Sequence, residues 1–248
     1  MQRFFVSKEA INGDVVRIEG DDARHISFSL RMKKGNRISV CAADGVLYTC
    51  CLAAFGEGYV EALVEDQTVC HAEPPYRVRL YQALPKGDKL ETIVQKAVEC
   101  GVYEIIPFES RNCIAKTGNN PEKKRERLNR IAAEAAKQCG RGILPQVLPA
   151  VSFRQMLDEA GKAALPLFCY EGEGTVPLGA MLDGTEAEIA VVIGSEGGFT
   201  PEEVEAAKAA GLRLCGLGPR ILRCETAPVF VLSCLSLVRE LTPRRFNL

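Results

Sequence analysis

The sequence predicts an α/β protein built in two parts, a small all-β N-terminal piece and a larger domain of parallel strands covered by helices. Three observations lead there. Short runs rich in β-branched and aromatic residues, separated by turn residues, fill roughly the first seventy positions. The stiff triplet Glu73-Pro74-Pro75 then breaks that pattern. Beyond it, apolar strand-like runs alternate with amphipathic helical ones, as in a mostly parallel sheet with helices on both faces.

In chain order, strands are predicted at 15–19, 37–41, 46–55 and 59–64. Asp44-Gly45 reads as a hairpin turn, because both positions tolerate positive φ. A short helix is expected over 25–32, capped by Asp21 or Asp22 and closed by Lys33-Lys34-Gly35. These elements predict a small β-barrel over 1–72, with a second domain over 73–248. The second domain opens with a strand at 78–84 and a helix at 88–100, whose Leu90, Ile93, Val94, Ala97 and Val98 share one face and which Gly101 ends. A strand at 103–107 precedes a long helix at 121–139, with Asn120 as its cap and Pro121 in its first position. Further strands are expected at 146–148, 165–170, 189–194 and 212–217, and further helices at 153–160, 201–210 and 226–241.

Composition excludes several classes. Of 248 residues, 47% are hydrophobic and 25% charged, which sets aside disordered, collagenous and coiled-coil chains. No apolar run approaches the ~20 residues of a membrane span, and Met1-Gln2-Arg3-Phe4-Phe5 lacks the apolar stretch of a secretory signal. Eleven cysteines is an odd number, and none are spaced Cys-x-x-Cys, so reduced thiols in a cytoplasmic protein are expected, with no metal site. The net charge of −1 hides a strong asymmetry: residues 1–76 sum to −3, 77–150 to +6, 151–218 to −7 and 219–248 to +3. A basic groove is therefore compatible with a nearly neutral chain.

The most informative segment runs from Ala190 to Glu203, where an apolar strand enters the turn Gly194-Ser195-Glu196-Gly197-Gly198-Phe199 and then a helix. Thr200 and Glu203 have capping-box spacing, and Pro201 takes the first helical position. The glycines allow close approach of a ligand, but the spacing fits neither a dinucleotide fingerprint nor a P-loop. Glu196 carries the wrong sign for an anion, so a neutral or cationic ligand suits the turn; a purely structural turn is the alternative. The second segment, Leu217-Gly218-Pro219-Arg220-Ile221-Leu222-Arg223-Cys224-Glu225-Thr226-Ala227, leaves the last strand at the sheet edge where open α/β folds bind ligands. Its arginines, Arg220 and Arg223, either contact RNA and developing negative charge or pair with acids such as Glu225. On the long helix Lys123, Arg127, Arg130, Lys137 and Arg141 form a basic stripe, a pattern of phosphate contact or of a solvated face. Aromatic residues are only 6% and tryptophan is absent, so backbone and shape contacts are expected to dominate any RNA recognition.

These two segments resemble the RsmE family. So do Gln82-Ala83-Leu84-Pro85-Lys86-Gly87-Asp88-Lys89-Leu90-Glu91, Gln95-Lys96-Ala97-Val98-Glu99-Cys100-Gly101-Val102, Glu134-Ala135-Ala136-Lys137-Gln138-Cys139-Gly140-Arg141 and Arg3-Phe4-Phe5-Val6. The resemblance spans nearly the whole chain. It implies S-adenosylmethionine-dependent methylation of ring nitrogen 3 of one uridine, uridine 1498, in 16S ribosomal RNA within the small ribosomal subunit. It also implies an N-terminal PUA-like β-barrel, a C-terminal SPOUT domain with a trefoil knot, and a homodimer. Ser195 stands where the family usually has proline, and Cys224 where threonine is common. By motif position, Ile193, Gly194 and Gly198 would line one side of the cofactor and Leu217, Gly218, Ile221 and Leu222 the other. Arg223 would stabilise the uracil anion; Glu196 would act either as the general base or to shape the cofactor loop, and the two histidines, His25 and His71, are both N-terminal. Arg3, Arg24, Arg31, Lys86, Arg127, Arg130 and Arg141 are the candidate RNA contacts. A SPOUT enzyme for another RNA and a non-catalytic ribosome-assembly factor are the rival expectations.

Overall fold

A computed structural model of the chain describes residues 1–242 other than 43, 44, 117, 119 and 183. Asp44, half of the expected hairpin turn, lies outside the described residues. The chain divides into two compact units, Met1–Glu73 with Ala136–Leu144, and Pro74–Ala135 with Pro145–Leu248.

The first unit is a six-stranded sheet of β1 (Arg3–Phe5), β2 (Ile11–Asn12), β3 (Val15–Glu19), β4 (Arg37–Cys41), β5 (Val46–Gly56) and β6 (Tyr59–Val69), in the order β1-β4-β5-β6-β3-β2. Val16 and Ile18 of β3 alternate with exposed neighbours, and with Phe4, Ile26, Ile38, Leu52 and Val60 they form the core. Strands β1 and β2 are three and two residues long, too short for a periodic signal. β6 runs on to Val69, past the predicted end at 64, because its polar Glu65-Asp66-Gln67 hides a strand that β5 continues to pair. Helix α1 (Gly20–Arg24) starts before the predicted position and passes into a π-helical turn over His25–Ser29. Gly20, at φ +65°, turns the chain straight out of β3, and no side chain caps the helix. Asp21 instead pairs with Arg24, and Asp22 accepts from Lys137 Nζ at 2.7 Å.

Two basic residues expected at RNA are used inside this unit. Arg141 is 3% exposed, and its guanidinium grips Glu73 with Nη2 2.7 Å from Oε2. Glu73 also accepts the backbone N–H groups of Gly142 and Ile143 at 2.7 and 3.2 Å. The expectation of a phosphate contact at Arg141 is therefore corrected: this is a structural pair that fastens a loop. Arg3 donates to the carbonyl oxygens of Gly140 and, at 2.7 Å, Arg141, so its head group too serves the fold.

The second unit is a parallel sheet of β7 (Arg77–Ala83), β8 (Glu104–Glu109), β9 (Gln146–Val147), β10 (Val151–Ser152), β11 (Leu165–Cys169), β12 (Val176–Pro177), β13 (Glu188–Ile193) and β14 (Arg213–Gly216). The order is β10-β8-β7-β13-β11-β14-β12, with β9 also on β8. The central strands are buried through most of their length, as sheets covered on both faces require. Helices α2 (Lys89–Glu99), α3 (Pro121–Cys139), α4 (Phe153–Ala160), α5 (Pro201–Ala209) and α6 (Ala227–Ser236) connect or follow them. α2 buries Leu90, Ile93, Val94, Ala97 and Val98, and Gly101 at φ +90° ends it. Asn120 Oδ1 accepts the Lys123 N–H at 3.2 Å at the start of α3. No helix among the described residues is long and apolar enough to cross a membrane.

Candidate active site

Strands β11, β13 and β14 lie side by side, and their carboxyl ends share one edge of the second unit's sheet. The loops leaving them line a pocket that opens to solvent. Ile193, Gly194, Leu217, Gly218, Ile221 and Leu222 all line it, so two loops more than twenty residues apart meet there. Gly198 is not in the wall. It sits against Glu171, and a Cβ built on it would come within 2.8 Å of that carboxylate, at a φ of +60°.

The glycine turn is fixed from several sides. Phe199 drives its ring into the core, 4.3 Å between centroids from Phe168 and stacked on Phe108 at 6.4 Å. Thr200 and Glu203 complete the capping box expected from their spacing, with Glu203 Oε2 accepting the Thr200 N–H at 2.9 Å. The other Glu203 oxygen accepts the Arg111 N–H at 2.8 Å, and Asn112 Nδ2 donates to the Gly197 carbonyl at 2.9 Å. Gly198 N–H closes the turn onto the Ser195 carbonyl at 3.0 Å. Such a turn presents its backbone without needing a ligand to order it.

Two buried polar groups in this region have no partner among the described residues: the Ser195 hydroxyl, in the pocket wall, and Gln82 Oε1. Gln82 donates its other amide group to the Gly194 and Ala83 carbonyls at 3.2 and 3.1 Å. Buried polar groups are normally satisfied, so unpaired ones in a pocket mark where a ligand's polar atoms belong. On the opposite wall Gly218 adopts φ +103°, and a Cβ there would meet nothing within 4 Å. Among the described residues lining the pocket none is a Lys, and the one arginine is Arg220. A neutral or cationic ligand fits these walls better than a phosphate.

Arg223 stands beside the pocket rather than in its wall, with its side chain 83% exposed and only a loose approach to Glu225 at 3.9 Å. Its carbonyl accepts the N–H groups of Thr226 and Ala227 at 2.9 and 3.0 Å, so the backbone is held while the guanidinium projects. Glu196 points away to the loop after β7. It accepts from Lys86 N–H at 3.2 Å and Lys89 Nζ at 2.8 Å. Burial raises its pKa, but those hydrogen bonds and its own backbone N–H outweigh this and hold it below the usual carboxylate range. A carboxylate so occupied is a poor proton acceptor, which favours the loop-shaping role of Glu196 over that of a base. Cys224, in the wall, is pushed up to about 12 by burial, the hydrogen bond to Glu225 and the charge of Glu196, so it stays a neutral thiol.

Of the other basic candidates, Arg24, Arg31, Lys86 and Arg130 are exposed, and Arg127 is exposed but paired with Glu91 at 2.8 Å. The basic stripe expected on the long helix therefore divides: Lys123, Arg127 and Arg130 on α3 face solvent, whereas Lys137 and Arg141, the latter beyond the end of α3, are bound to Asp22 and Glu73. Sequence reasoning missed Tyr170 and Glu171 in the pocket, and Lys89 and Asn112 behind it. Tyr170 and Glu171 directly follow strand β11, so the carboxyl-edge rule that found the other two loops also covers them. Nothing in the sequence marks Asn112.

A family model for an RNA methyltransferase domain matches residues 72–236. The chain is 36% identical over 251 residues to the ribosomal RNA small subunit methyltransferase E of Bacillus subtilis, covering 97% of this chain and 98% of that protein. The crystal structure of the Neisseria gonorrhoeae ribosomal RNA small subunit methyltransferase E bound to S-adenosyl methionine matches with a TM-score of 0.84 at 29% identity, covering 95% of this chain and 97% of that one. A methyltransferase from Legionella pneumophila, solved in complex with the same cofactor, matches with a TM-score of 0.85 at 28% identity, covering 94% of this chain and 96% of that one.

Proposed function

The chain belongs to the ribosomal RNA small subunit methyltransferase E family, and from that premise we propose that it methylates ring nitrogen 3 of one uridine, uridine 1498, in 16S ribosomal RNA, using S-adenosylmethionine. The observation that carries the reading is the pocket formed by the Gly194 and Gly218 loops, with its unpaired Ser195 hydroxyl and no phosphate cradle. S-adenosylmethionine is cationic and carries no phosphate, so it fits walls built from glycine backbone, apolar side chains and the carboxylate of Glu171. When bound, it supplies an electrophilic methyl group on a sulfonium.

The residues divide the remaining work. Ile193, Gly194, Leu217, Gly218, Ile221 and Leu222 hold the cofactor through backbone groups and shape, with Gly198 keeping the floor of the turn low beneath Glu171. Phe199, Asn112 and Glu203 keep the turn rigid, so the in-line geometry of methyl transfer costs little reorganisation. As the N3–H proton of uracil passes to solvent, negative charge spreads to the flanking carbonyl oxygens. Arg223, always protonated and exposed beside the pocket, stabilises that charge.

The same reading includes a PUA-like barrel in the first unit, a knotted SPOUT chain in the second, and a cytoplasmic homodimer acting on the small ribosomal subunit. Supporting the dimer, Phe230, Leu237 and Leu241 are exposed on the last helix and its continuation, at spacings of seven and four that place them on one face. Arg24, Arg31, Lys86, Arg127 and Arg130 are exposed cations suited to phosphate. Titration calorimetry of the whole chain with S-adenosylmethionine tests the site: saturable binding at one site per chain is expected, and no binding would refute it.

A further inference from the structure

We infer that Lys89 is a positioning residue: its ammonium clasps the glycine turn to the Arg223 loop. The inference rests on the methyltransferase reading above. Lys89 Nζ lies 2.8 Å from Glu196 Oε1 and 3.5 Å from Glu225 Oε2. The three residues come from segments that follow three different strands, β7, β13 and β14. Glu196 adjoins Ser195 and Glu225 adjoins Cys224, and both neighbours are pocket wall. Glu225 is also the acid nearest Arg223, at 3.9 Å. One ammonium thus joins both walls and the residue that carries the positive charge to the substrate.

The sequence shows why this lysine is not an ordinary surface charge. Lys89 is the first residue of α2, where the helix dipole disfavours a cation. Two carboxylates offset that cost, and without the ammonium they would repel each other. The Lys86 N–H, at 3.2 Å, gives Glu196 a second tie to the same loop. Hydrogen bonding to Glu196 holds the Lys89 ammonium above its ordinary range, so it is a fixed cation and not a proton carrier. At 36% side-chain exposure the pair belongs to a class that adds little to global stability. Its effect should appear in the order of the two loops.

The test compares Lys89→Met, Lys89→Arg and the Lys89→Met/Glu225→Gln double variant of the whole chain. Lys89→Met should weaken S-adenosylmethionine binding by about tenfold and slow single-turnover methylation at saturating RNA by about tenfold or more, with Tm unchanged. Lys89→Arg should recover most of both, and Glu225→Gln added to Lys89→Met should recover part by removing the repulsion. Amide hydrogen exchange over 194–200 and 220–226, measured without cofactor, should quicken in Lys89→Met. Unchanged exchange, cofactor affinity and saturated rate, with a loss confined to RNA affinity and its salt slope, would make Lys89 a phosphate contact and overturn the clasp. Wild-type protein that neither binds the cofactor nor methylates RNA would overturn the methyltransferase reading, while the exchange measurement still decides the clasp.

Discussion

Phe199 packs 4.3 Å, centroid to centroid, from Phe168, so a residue of the pocket-lining turn is also part of the core of the sheet. Flexible glycines on one side and a buried aromatic anchor on the other make the turn permissive in shape yet rigid in position. Phe199→Ala should therefore act on both levels. Removing a buried phenylalanine costs about 3–5 kcal/mol, and cofactor affinity should fall with it. Denaturant unfolding and calorimetry on the same sample check the pairing, and full cofactor affinity in a destabilised variant would detach the anchor from the site.

Gly218→Val should lose cofactor binding by more than about tenfold while the fold survives. The backbone there sits at φ +103°, which a β-branched residue resists, in a residue that lines the pocket. Calorimetry with a thermal melt as control reads this directly. Unchanged affinity in a folded variant would remove the Gly218 loop from the site.

Arg141 and Arg130 should behave oppositely. Arg141→Ala leaves the carboxylate of Glu73 without its guanidinium in a largely buried position and should cost about 3 kcal/mol or more of stability. Its salt dependence of RNA binding should stay as in the wild type. Arg130→Ala, on the exposed part of α3, should leave Tm unchanged and reduce the salt slope by about 0.7–0.9. Filter binding across a salt series and thermal melts separate the two.

These contrasts mark what the sequence could and could not convey. The α2 face, the Asn120 cap, the Thr200/Glu203 capping box and both pocket loops were readable, because each rests on local spacing or turn chemistry. Burial of Arg141 was not, since its partner Glu73 lies 68 residues away and charge alone looks the same on a solvated face. The occupied state of Glu196 likewise depends on Lys89, 107 positions distant. Polar strand ends such as Glu65-Asp66-Gln67 escaped because only the pairing with β5 defines them.

The clasp around Lys89 should be insensitive to pH through the neutral range. Burial raises the pKa of both Glu196 and Glu225, but hydrogen bonds, from Lys89 and the backbone for Glu196 and from the backbone and the Cys224 thiol for Glu225, bring each below 4.5. Carboxylates lowered in the folded state contribute above their unfolded pKa and lose that contribution as pH falls through the folded value. Lys89 is raised from 10.5, so its share is complete below that pH and is lost only as pH climbs past the folded value. Cofactor affinity should be flat from about pH 6 to 9. A steep change near pH 7 would place another titrating group at the site.

Arg223→Ala should reduce single-turnover methylation at saturating cofactor and RNA by roughly 10²–10³, the usual cost of losing a donor to developing negative charge. Cofactor affinity should be kept, because the guanidinium lies outside the pocket wall. Stopped-time assays paired with calorimetry distinguish this from a binding defect, which would appear as weakened affinity with an intact saturated rate.

Mapping of the methyl group tests the central claim most directly. Small ribosomal subunits from cells lacking the modification are incubated with the purified chain and labelled S-adenosylmethionine, and the RNA is digested and sequenced by mass. A single 3-methyluridine in 16S ribosomal RNA is the predicted result, present with the wild-type chain and absent with Gly218→Val. Label on another atom or another nucleotide, or no label with a folded, cofactor-binding protein, would contradict it.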